Sequence, residues 1–211
     1  MNRPRTKRSK SSGRWLQEHE TDFYVIKARE EGYRCRAVYK LLELQEKYKL
    51  IKPGMRIVDL GAAPGGWSEV AATLVGKQGK VVAMDILPMD PIPGVTFLQG
   101  DFHEQASLDA LLAELNGESL DLVISDIAPN MSGSKSIDQP RSMYLVELAF
   151  EFAQQTLSPG GAFVCKVFQG EGIDELLIEI RKCFAKVMSR KPKASRPRSS
   201  EVYIVATGFK A

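Results

Sequence analysis

A short strand followed by a glycine-rich turn and a helix constrains the fold of this chain more than any other stretch. Ile57 and Val58 predict a buried parallel strand, which ends at Asp59. Residues 61–66 predict a tight turn, and a helix is predicted to begin at Trp67. Small residues in such a turn let the backbone approach a ligand closely, and the helix N-terminus offers free N–H groups. The pattern indicates a ligand site at the edge of an α/β sheet, although a purely structural turn also fits it.

Predicted strands and helices alternate through the rest of the chain, which is the pattern of a doubly wound α/β sheet. Apolar runs predict strands at 80–85, 95–99, 120–126, 162–168, from 187 onward, and at 202–206. Apolar stripes and capping residues predict helices at 21–31, 34–49, 67–75, 104–115, 139–157 and 173–185. The Gly-, Ser- and Asn-rich stretch 127–138 is long enough to form a substrate loop.

The composition is typical of one globular domain. The chain has 211 residues, 44% of them hydrophobic, and no apolar run as long as a membrane span. Three widely spaced cysteines and two isolated histidines fit neither a disulfide framework nor a metal site, and the cysteines favour a reducing compartment. We therefore predict a cytoplasmic protein with no metal and no membrane segment, in which residues 15–211 form a single domain.

Positive charge is concentrated in two blocks. Residues 1–14 contain six basic residues and residues 181–198 contain eight, and neither block contains an acid. Residues 15–180 contain 14 basic and 25 acidic residues, a balance of −11. Basic blocks on an acidic body favour RNA or DNA as a partner, although a solvated tail and a charged helix face also fit. Residues 1–14 are predicted to form a disordered basic arm.

Acidic residues end three of the predicted strands. Asp59, Asp85 and Asp126 are therefore expected at the ligand edge of the sheet. Asp85 follows Gly65 by 20 residues, a spacing that suits a carboxylate binding ribose hydroxyls of NAD or of S-adenosylmethionine. The turn lacks the Gly-x-Gly-x-x-Gly pattern of dinucleotide sites. A third strand followed by Asp101 and Phe102 suits an adenine, which would donate to the carboxylate and stack on the ring.

Lys166 lies within the apolar run Phe163–Phe168, where a buried strand is predicted. Buried lysines are rare unless they are paired. A desolvated amine favours its neutral form and can act as a base, whereas a lysine at a strand end can also simply extend into solvent.

Seven motifs distributed along nearly the whole chain carry a resemblance to a known family. They are 33–41 (YRCRAVYKL), 58–68 (VDLGAAPGGWS), 84–86 (MDI), 100–102 (GDF), 125–133 (SDIAPNMSG), 163–168 (FVCKVF) and 195–203 (SRPRSSEVY). In these motifs the chain resembles the FtsJ/RrmJ family of S-adenosylmethionine-dependent RNA ribose 2′-O-methyltransferases. The resemblance is strongest to the bacterial heat-shock branch, which modifies a uridine of large-subunit (23S) ribosomal RNA.

The resemblance implies a Rossmann-like, mostly parallel seven-stranded sheet with an antiparallel strand in the last-but-one position. It implies S-adenosylmethionine as the cofactor, with its methionine end at Gly65 and Trp67, its ribose at Asp85 and its adenine at Asp101. Further cofactor contacts are expected at Asp59, Gly61, Gly66, Ile86, Phe102 and Asp126. The implied partner is ribosomal RNA in an assembled or assembling large subunit, and the enzyme is expected to be a monomer.

The resemblance also implies a catalytic tetrad of Lys40, Asp126, Lys166 and Glu201. In this interpretation Lys166 is the base, Asp126 holds it in place, Lys40 orients the ribose or its phosphate, and Glu201 tunes the lysine pair or positions the sugar. The alternatives are methylation of tRNA or of a messenger cap, a non-catalytic RNA-binding assembly factor, and a nicotinamide dehydrogenase. The last is disfavoured by the missing dinucleotide pattern.

Overall fold

The computed structural model describes residues 20–210, and the predicted basic arm therefore lies outside the described residues. The helices are α1 Phe23–Glu30, α2 Val38–Tyr48, α3 Gly66–Val75, α4 Gln105–Leu115, α5 Lys135–Thr156 and α6 Ile173–Cys183, with a 3₁₀ turn at Gly76–Gln78. The strands are β1 Arg56–Leu60, β2 Lys80–Asp85, β3 Val95–Gln99, β4 Leu120–Ser125, β5 Leu157–Phe168, β6 Phe184–Arg190 and β7 Glu201–Phe209.

The strands form one seven-stranded sheet in the order β3-β2-β1-β4-β5-β7-β6. The first five strands in this order are parallel, whereas β7 is antiparallel to both β5 and β6. This confirms the predicted Rossmann-like class, including the antiparallel strand in the last-but-one position. Because β7 runs against β5, the first residue of β7 lies at the same edge of the sheet as the last residues of β5.

Helices cover both faces of the sheet, and each face has its own apolar core. One core joins α1, α2 and α3 to the face that carries Ile57, Ile124 and Tyr203. The other joins α4, α5 and α6 to the face that carries Val58 and Phe163. Strands buried on both faces explain why the sequence shows continuous apolar runs where an alternating pattern would mark a half-exposed strand.

Several element boundaries differ from the prediction; α2, for example, begins at Val38 and not at 34, and two further differences have a clear physical reason. Helix α5 begins at Lys135, four residues before the predicted start, and includes Pro140. A proline near the helix N-terminus removes only one intrahelical hydrogen bond, so the helix can include Pro140 after its first turn. Strand β5 begins at Leu157, five residues early, because Leu157 pairs with Leu120 before an irregularity in the register brings Ala162 opposite Leu122.

The helices of the described part of the chain were compared with the requirements of a membrane span. Across residues 20–210, no helix combines the length and the apolar character that crossing a bilayer requires.

Candidate active site

The carboxyl ends of the parallel strands and the start of β7 meet at one edge of the sheet. Asp85 ends β2, Asp126 follows β4, and Asp59 is the fourth residue of β1. Lys166 lies near the end of β5, and Glu201 begins β7. The topology therefore brings residues that are far apart in sequence to one edge.

The strand register also places the key side chains on one face. Lys166 lies directly opposite Tyr203, and Phe168 lies opposite Glu201. Directly paired residues in an antiparallel ladder point to the same face, and so do residues two apart along a strand. Lys166, Tyr203 and Glu201 consequently share the face that α2 covers, and α2 contributes Lys40.

Two ion pairs form at this edge, and both are largely shielded from solvent. Lys166 Nζ lies 2.9 Å from Asp126 Oδ1 and also donates to the main-chain carbonyl oxygen of Asp126. Lys40 Nζ lies 2.9 Å from Glu201 Oε1. The side chains of the two lysines are only 8% and 10% exposed, so each depends on its carboxylate for compensation.

Tyr203 connects the two pairs, and the sequence interpretation did not identify it. Its hydroxyl donates to Asp126 Oδ1 at 2.5 Å, and Lys40 Nζ lies 5.5 Å from the centre of its ring. Burial, together with the negative charges of Asp126 and Glu201, raises the pKa of Tyr203 well above its ordinary value. The phenol therefore remains a donor throughout the physiological range. Its position two residues after Glu201 in a predicted strand was the available signal.

Asp126 is charged in spite of its burial. Burial by itself raises the pKa of this carboxyl, but the positive charges of Lys166 and Lys40 and the hydrogen bond from Tyr203 lower it, and the net pKa lies below the ordinary value. The four predicted tetrad residues are thus brought into one network, whose centre is Asp126.

A cavity of about 630 Å³ opens beside this network at the same edge of the sheet, a volume suited to a nucleoside-sized ligand. Six of the predicted cofactor residues line it: Gly61, Asp85, Ile86, Asp101, Phe102 and Asp126. Asp126 is the tetrad residue that lies in the cavity wall. The cavity and the ion-pair network therefore meet at one carboxylate.

The turn after β1 lies very close to the backbone that follows β4. Gly61 has φ of +75°, and a Cβ added there would lie 2.6 Å from the Cα of Ile127. No other residue type fits that space without moving the backbone. Asp85 Oδ2 accepts from the N–H of Ala63 at 2.8 Å, and Asp85 Oδ1 accepts from the N–H of Leu87 at 2.8 Å. The ribose-binding candidate is thus fixed in orientation by the turn itself.

The remaining predicted cofactor residues do not line the cavity. Gly65 and Gly66 cap and begin α3, and Trp67 is buried with its Nε1 donating to the carbonyl of Ala37 at 2.8 Å. The Trp67 ring packs on Tyr203, with 5.6 Å between centroids. The indole therefore packs against the tetrad network through Tyr203. Because the indole is occupied in this way, a ligand at this turn would contact main-chain atoms.

Arg34 holds two loops together behind the turn. Its guanidinium donates to the carbonyls of Pro64, Asp90 and Pro91, at 3.4, 2.9 and 2.8 Å. The sequence assigned this arginine no separate role. It joins the glycine-rich turn to the loop after β2, and so fixes the relative position of two cavity walls.

Asp101, Phe102 and His103 form the part of the cavity wall where the adenine is predicted. His103 donates to Asp101 Oδ1 through its main-chain N–H at 3.0 Å, and its Nδ1 lies 2.7 Å from the same oxygen. These contacts lower the pKa of Asp101. Phe102 packs nearly perpendicular to Phe152 in the core, with 5.8 Å between the ring centroids, and is only 8% exposed. The more exposed rings at this end are His103 and Tyr144, which stack on each other.

The predicted substrate loop is tied down by a carboxylate from the helix that follows it. Asp138 accepts from the N–H of Ser132 at 2.8 Å and from the N–H of Gly133 at 2.9 Å. These bonds lower the pKa of Asp138. The loop therefore has a defined shape over the cavity mouth, where Asn130 is one of the lining residues.

Asp59 lies beneath the turn, fully buried. Its Oδ2 accepts from the hydroxyl of Ser68 at 2.6 Å, while Oδ1 has no hydrogen-bond partner within the described residues. Burial, with only partial compensation from Ser68, raises its pKa from 3.8 to about 7. The side chain supports the turn from within the core and does not line the cavity.

The raised pKa of Asp59 predicts a pH-dependent stability. Between pH 4 and 7 the unfolded chain loses the proton while the folded chain keeps it, so stability falls as pH rises through this window. The total is roughly 4 kcal/mol, from about 1.4 kcal/mol for each pH unit. We expect Asp59→Asn, which cannot ionise, to gain stability relative to the parent chain between pH 5 and pH 8. Urea unfolding at both pH values measures this, and an equal difference at the two values would contradict it.

No metal is needed to explain these contacts. Among residues 20–210 no group of three or more His, Cys, Asp or Glu side chains is arranged to hold a metal ion.

Comparison with known proteins identifies the family. The profile of the FtsJ-like methyltransferases matches residues 33–209, which include every site residue described above. The chain belongs to the FtsJ-like methyltransferases. It is 61% identical over 203 residues to the ribosomal RNA large subunit methyltransferase E of Hahella chejuensis, covering 96% of this chain and 98% of that protein.

Solved structures agree with the fold of this methyltransferase. A ribosomal RNA methyltransferase from Plasmodium falciparum superposes with a TM-score of 0.74 at 32% identity, covering 84% of this chain and 98% of that one. A protein from Clostridium thermocellum described as an rRNA methylase superposes with a TM-score of 0.54 at 17% identity, over 80% of this chain and 97% of that one. The second likeness supports the fold alone.

Proposed function

We propose that this FtsJ-like methyltransferase transfers a methyl group from S-adenosylmethionine to the ribose 2′-hydroxyl of a uridine in large-subunit ribosomal RNA. The observation that carries the proposal is the meeting of the cavity and the ion-pair network at Asp126. A methyl donor in the cavity and a ribose beside Lys166 would then lie on either side of the same residue, Asp126, and therefore close to each other. The family assignment and the large-subunit relative support the substrate class.

The cavity residues fit S-adenosylmethionine. Asp85 offers carboxylate oxygens to ribose hydroxyls, and Gly61 contributes main-chain atoms to the cavity wall. Asp101 uses Oδ1 for its contacts with His103 and leaves Oδ2 for an exocyclic amine. When bound, the cofactor supplies an electrophilic methyl sulfonium, so the protein has mainly to align the hydroxyl and take its proton.

Proton removal is assigned to Lys166. Lys166 must first release the proton that makes it the cationic partner of Asp126; its neutral amine can then accept the 2′-hydroxyl proton, and its burial removes the water that would compete for that proton. Asp126, fixed by Tyr203, orients Nζ through two contacts. Lys40, held by Glu201, lies where it can bind the 3′ or 5′ phosphate or the ribose of the target. The carboxylates therefore position the amines, and the amines face the substrate.

A labelling experiment tests the proposal directly. The full chain is incubated with methyl-tritiated S-adenosylmethionine and separately with large subunits, small subunits and tRNA, all from a strain that lacks the enzyme. We expect label in large-subunit RNA only, at one uridine, in the alkali-resistant dinucleotide that a 2′-O-methyl group produces. Label in tRNA would favour the tRNA alternative, and cofactor binding without transfer to any RNA would favour a non-catalytic assembly factor.

The sites of action and the oligomeric state follow from the same proposal. A substrate in ribosomal subunits implies action in the cytoplasm, and a single chain carries all four tetrad residues, which supports a monomer. Basic residues in 1–14 and 190–198 are proposed to contact RNA phosphates, which position the substrate without reading its sequence.

A further inference from the structure

A second cavity lies on the sheet face covered by α1 and α2, between the start of α1 and the loop 191–200. Its volume is about 480 Å³, and it is separate from the cofactor cavity. We call it the α1 groove. It is lined by Thr21, Asp22, Phe23, Tyr24, Arg36, Lys193, Ser195, Arg196, Pro197 and Arg198.

The α1 groove is positively charged. Four basic side chains line it against one acid, Asp22. Asp22 is shared between Arg36, in direct contact, and Arg196, whose Nε lies 3.5 Å away. Lys193 is exposed, and its ammonium has no acidic partner among residues 20–210. The excess of positive charge fits a polyanion, and the basic sequence 1–14 is separated from Thr21 by only six residues.

A buried hydroxyl in the groove has no partner. Ser195 is only 5% exposed, yet its Oγ makes no hydrogen bond to any described residue. Leaving a buried hydroxyl unpaired is unfavourable, and such groups are rare in folded proteins. A phosphate oxygen in the groove would accept from this hydroxyl and remove the cost. The orphaned hydroxyl therefore indicates an anionic ligand, independently of the charge count.

An exposed aromatic ring borders the same groove. Phe23 is 66% exposed, and its ring meets Tyr24 edge-on with 5.2 Å between centroids, so one face of Phe23 stays open. The guanidinium of Arg36 lies over Tyr24, 5.9 Å from the ring centre. Aromatic rings beside a basic groove are the usual platform for unpaired nucleic-acid bases.

The groove leads directly to the tetrad. Arg36 precedes Lys40 by four residues and lies in the turn that leads into α2, the helix that carries Lys40. The positive charge of Arg36 partly offsets the rise in the pKa of Tyr203 that burial and the nearby carboxylates cause. On the other wall, the loop 191–200 continues into Glu201, the partner of Lys40. A strand lying in the groove would therefore present its next nucleotide to Lys40.

We propose that the α1 groove binds a single-stranded RNA segment adjacent to the target nucleotide, with a phosphate held by Ser195 Oγ and Lys193 and a base stacked on Phe23. This inference rests on the proposed RNA substrate. The nucleotide next to the target would bind at a fixed position in the α1 groove. Its strand would thereby place the target ribose beside the tetrad. The groove would recognise the RNA backbone and the stacking face of a base, so it would bind different base sequences.

Equilibrium binding of a fluorescent eight-nucleotide RNA to the full chain tests the groove without any methyl transfer. Phe23→Ala should weaken binding about tenfold, whereas Phe23→Tyr, which keeps the ring, should bind as the parent does. Ser195→Ala should weaken binding about tenfold while its Tm stays equal or rises, because an unpaired hydroxyl has been removed. Lys193→Ala should reduce the slope of log Kd against log salt by about 0.7.

Two variants on the opposite sheet face provide matched controls. Ile178→Ala removes an exposed apolar side chain of α6, and Lys182→Ala removes an exposed lysine of the same helix. Both should bind the oligonucleotide as the parent does. Unchanged binding in the three groove variants, or no binding by the parent chain, would overturn the inference. Methylation of ribosomal RNA with unchanged groove variants would refute the groove alone, whereas weakened binding without methylation would refute the proposed function alone.

Discussion

Replacing Lys166 by methionine should abolish methyl transfer while leaving cofactor binding intact. Nζ of Lys166 is the proposed acceptor of the hydroxyl proton, and a thioether of similar length cannot take it. General base catalysis is worth about 10²- to 10⁴-fold, so single-turnover transfer to large-subunit RNA should fall by that factor. The affinity for S-adenosylmethionine, measured by calorimetry, should change by no more than about twofold, because Lys166 does not line the cavity.

Lys166→Arg separates the base from the ion pair. A guanidinium keeps the positive charge beside Asp126 but does not lose a proton in proteins, so this variant should remain folded and be as inactive as Lys166→Met. Lys182→Met, on the opposite face of the molecule, is the control and should transfer methyl groups normally. Near-normal turnover by the arginine variant would show that Lys166 acts by charge alone and would remove it as the base.

Much of the fold could be predicted because its strands are continuous apolar runs. Strands β2 and β3 have the predicted bounds, since Asp85 ends β2 and the glycines at 94 and 100 flank β3. The start of α5 could not be predicted, because Pro140 resembles a first-turn residue and the actual cap, Ser134, lies in a stretch of similar polar residues. The residue at which α5 begins depends on the contact between Asp138 and the loop before the helix, and the local sequence pattern does not reveal that contact.

The site was harder to predict than the fold. Strand-end acids could be placed at one edge from topology alone, but the pairing of Lys40 with Glu201 depends on how α2 packs, which local sequence does not encode. Tyr203 was overlooked because an aromatic residue in an apolar strand is usually core, and here it is both core and hydrogen-bond donor. Trp67 is the opposite case: the sequence suggested a cofactor contact, whereas its indole N–H donates to a carbonyl of the protein itself. The catalytic and cofactor roles of these residues remain predictions.

Asp126→Ala should be the most destabilising single substitution at the site, because it leaves Lys166 buried without a counter-charge. Removing one partner of a buried ion pair costs about 3–5 kcal/mol. Tyr203 also loses its acceptor. The double variant Asp126→Ala/Lys166→Met replaces both charges by apolar groups and should recover a large part of that loss in urea unfolding at pH 7. Additive losses in the two single variants would show that the pair is not coupled.

The same variants test the charge state of Asp126 through pH. Because the folded pKa of Asp126 lies below its ordinary value of 3.8, its contribution to stability is complete above about pH 4 and is lost as pH falls through the folded pKa. The parent chain should therefore lose stability faster than Asp126→Ala on acidification below pH 4, and the two unfolding curves should converge. Parallel curves would mean that Asp126 is equally easy to protonate in the folded and unfolded chain. In that case neither Lys166 nor Lys40 holds it as an anion, and the network could not orient the proposed base.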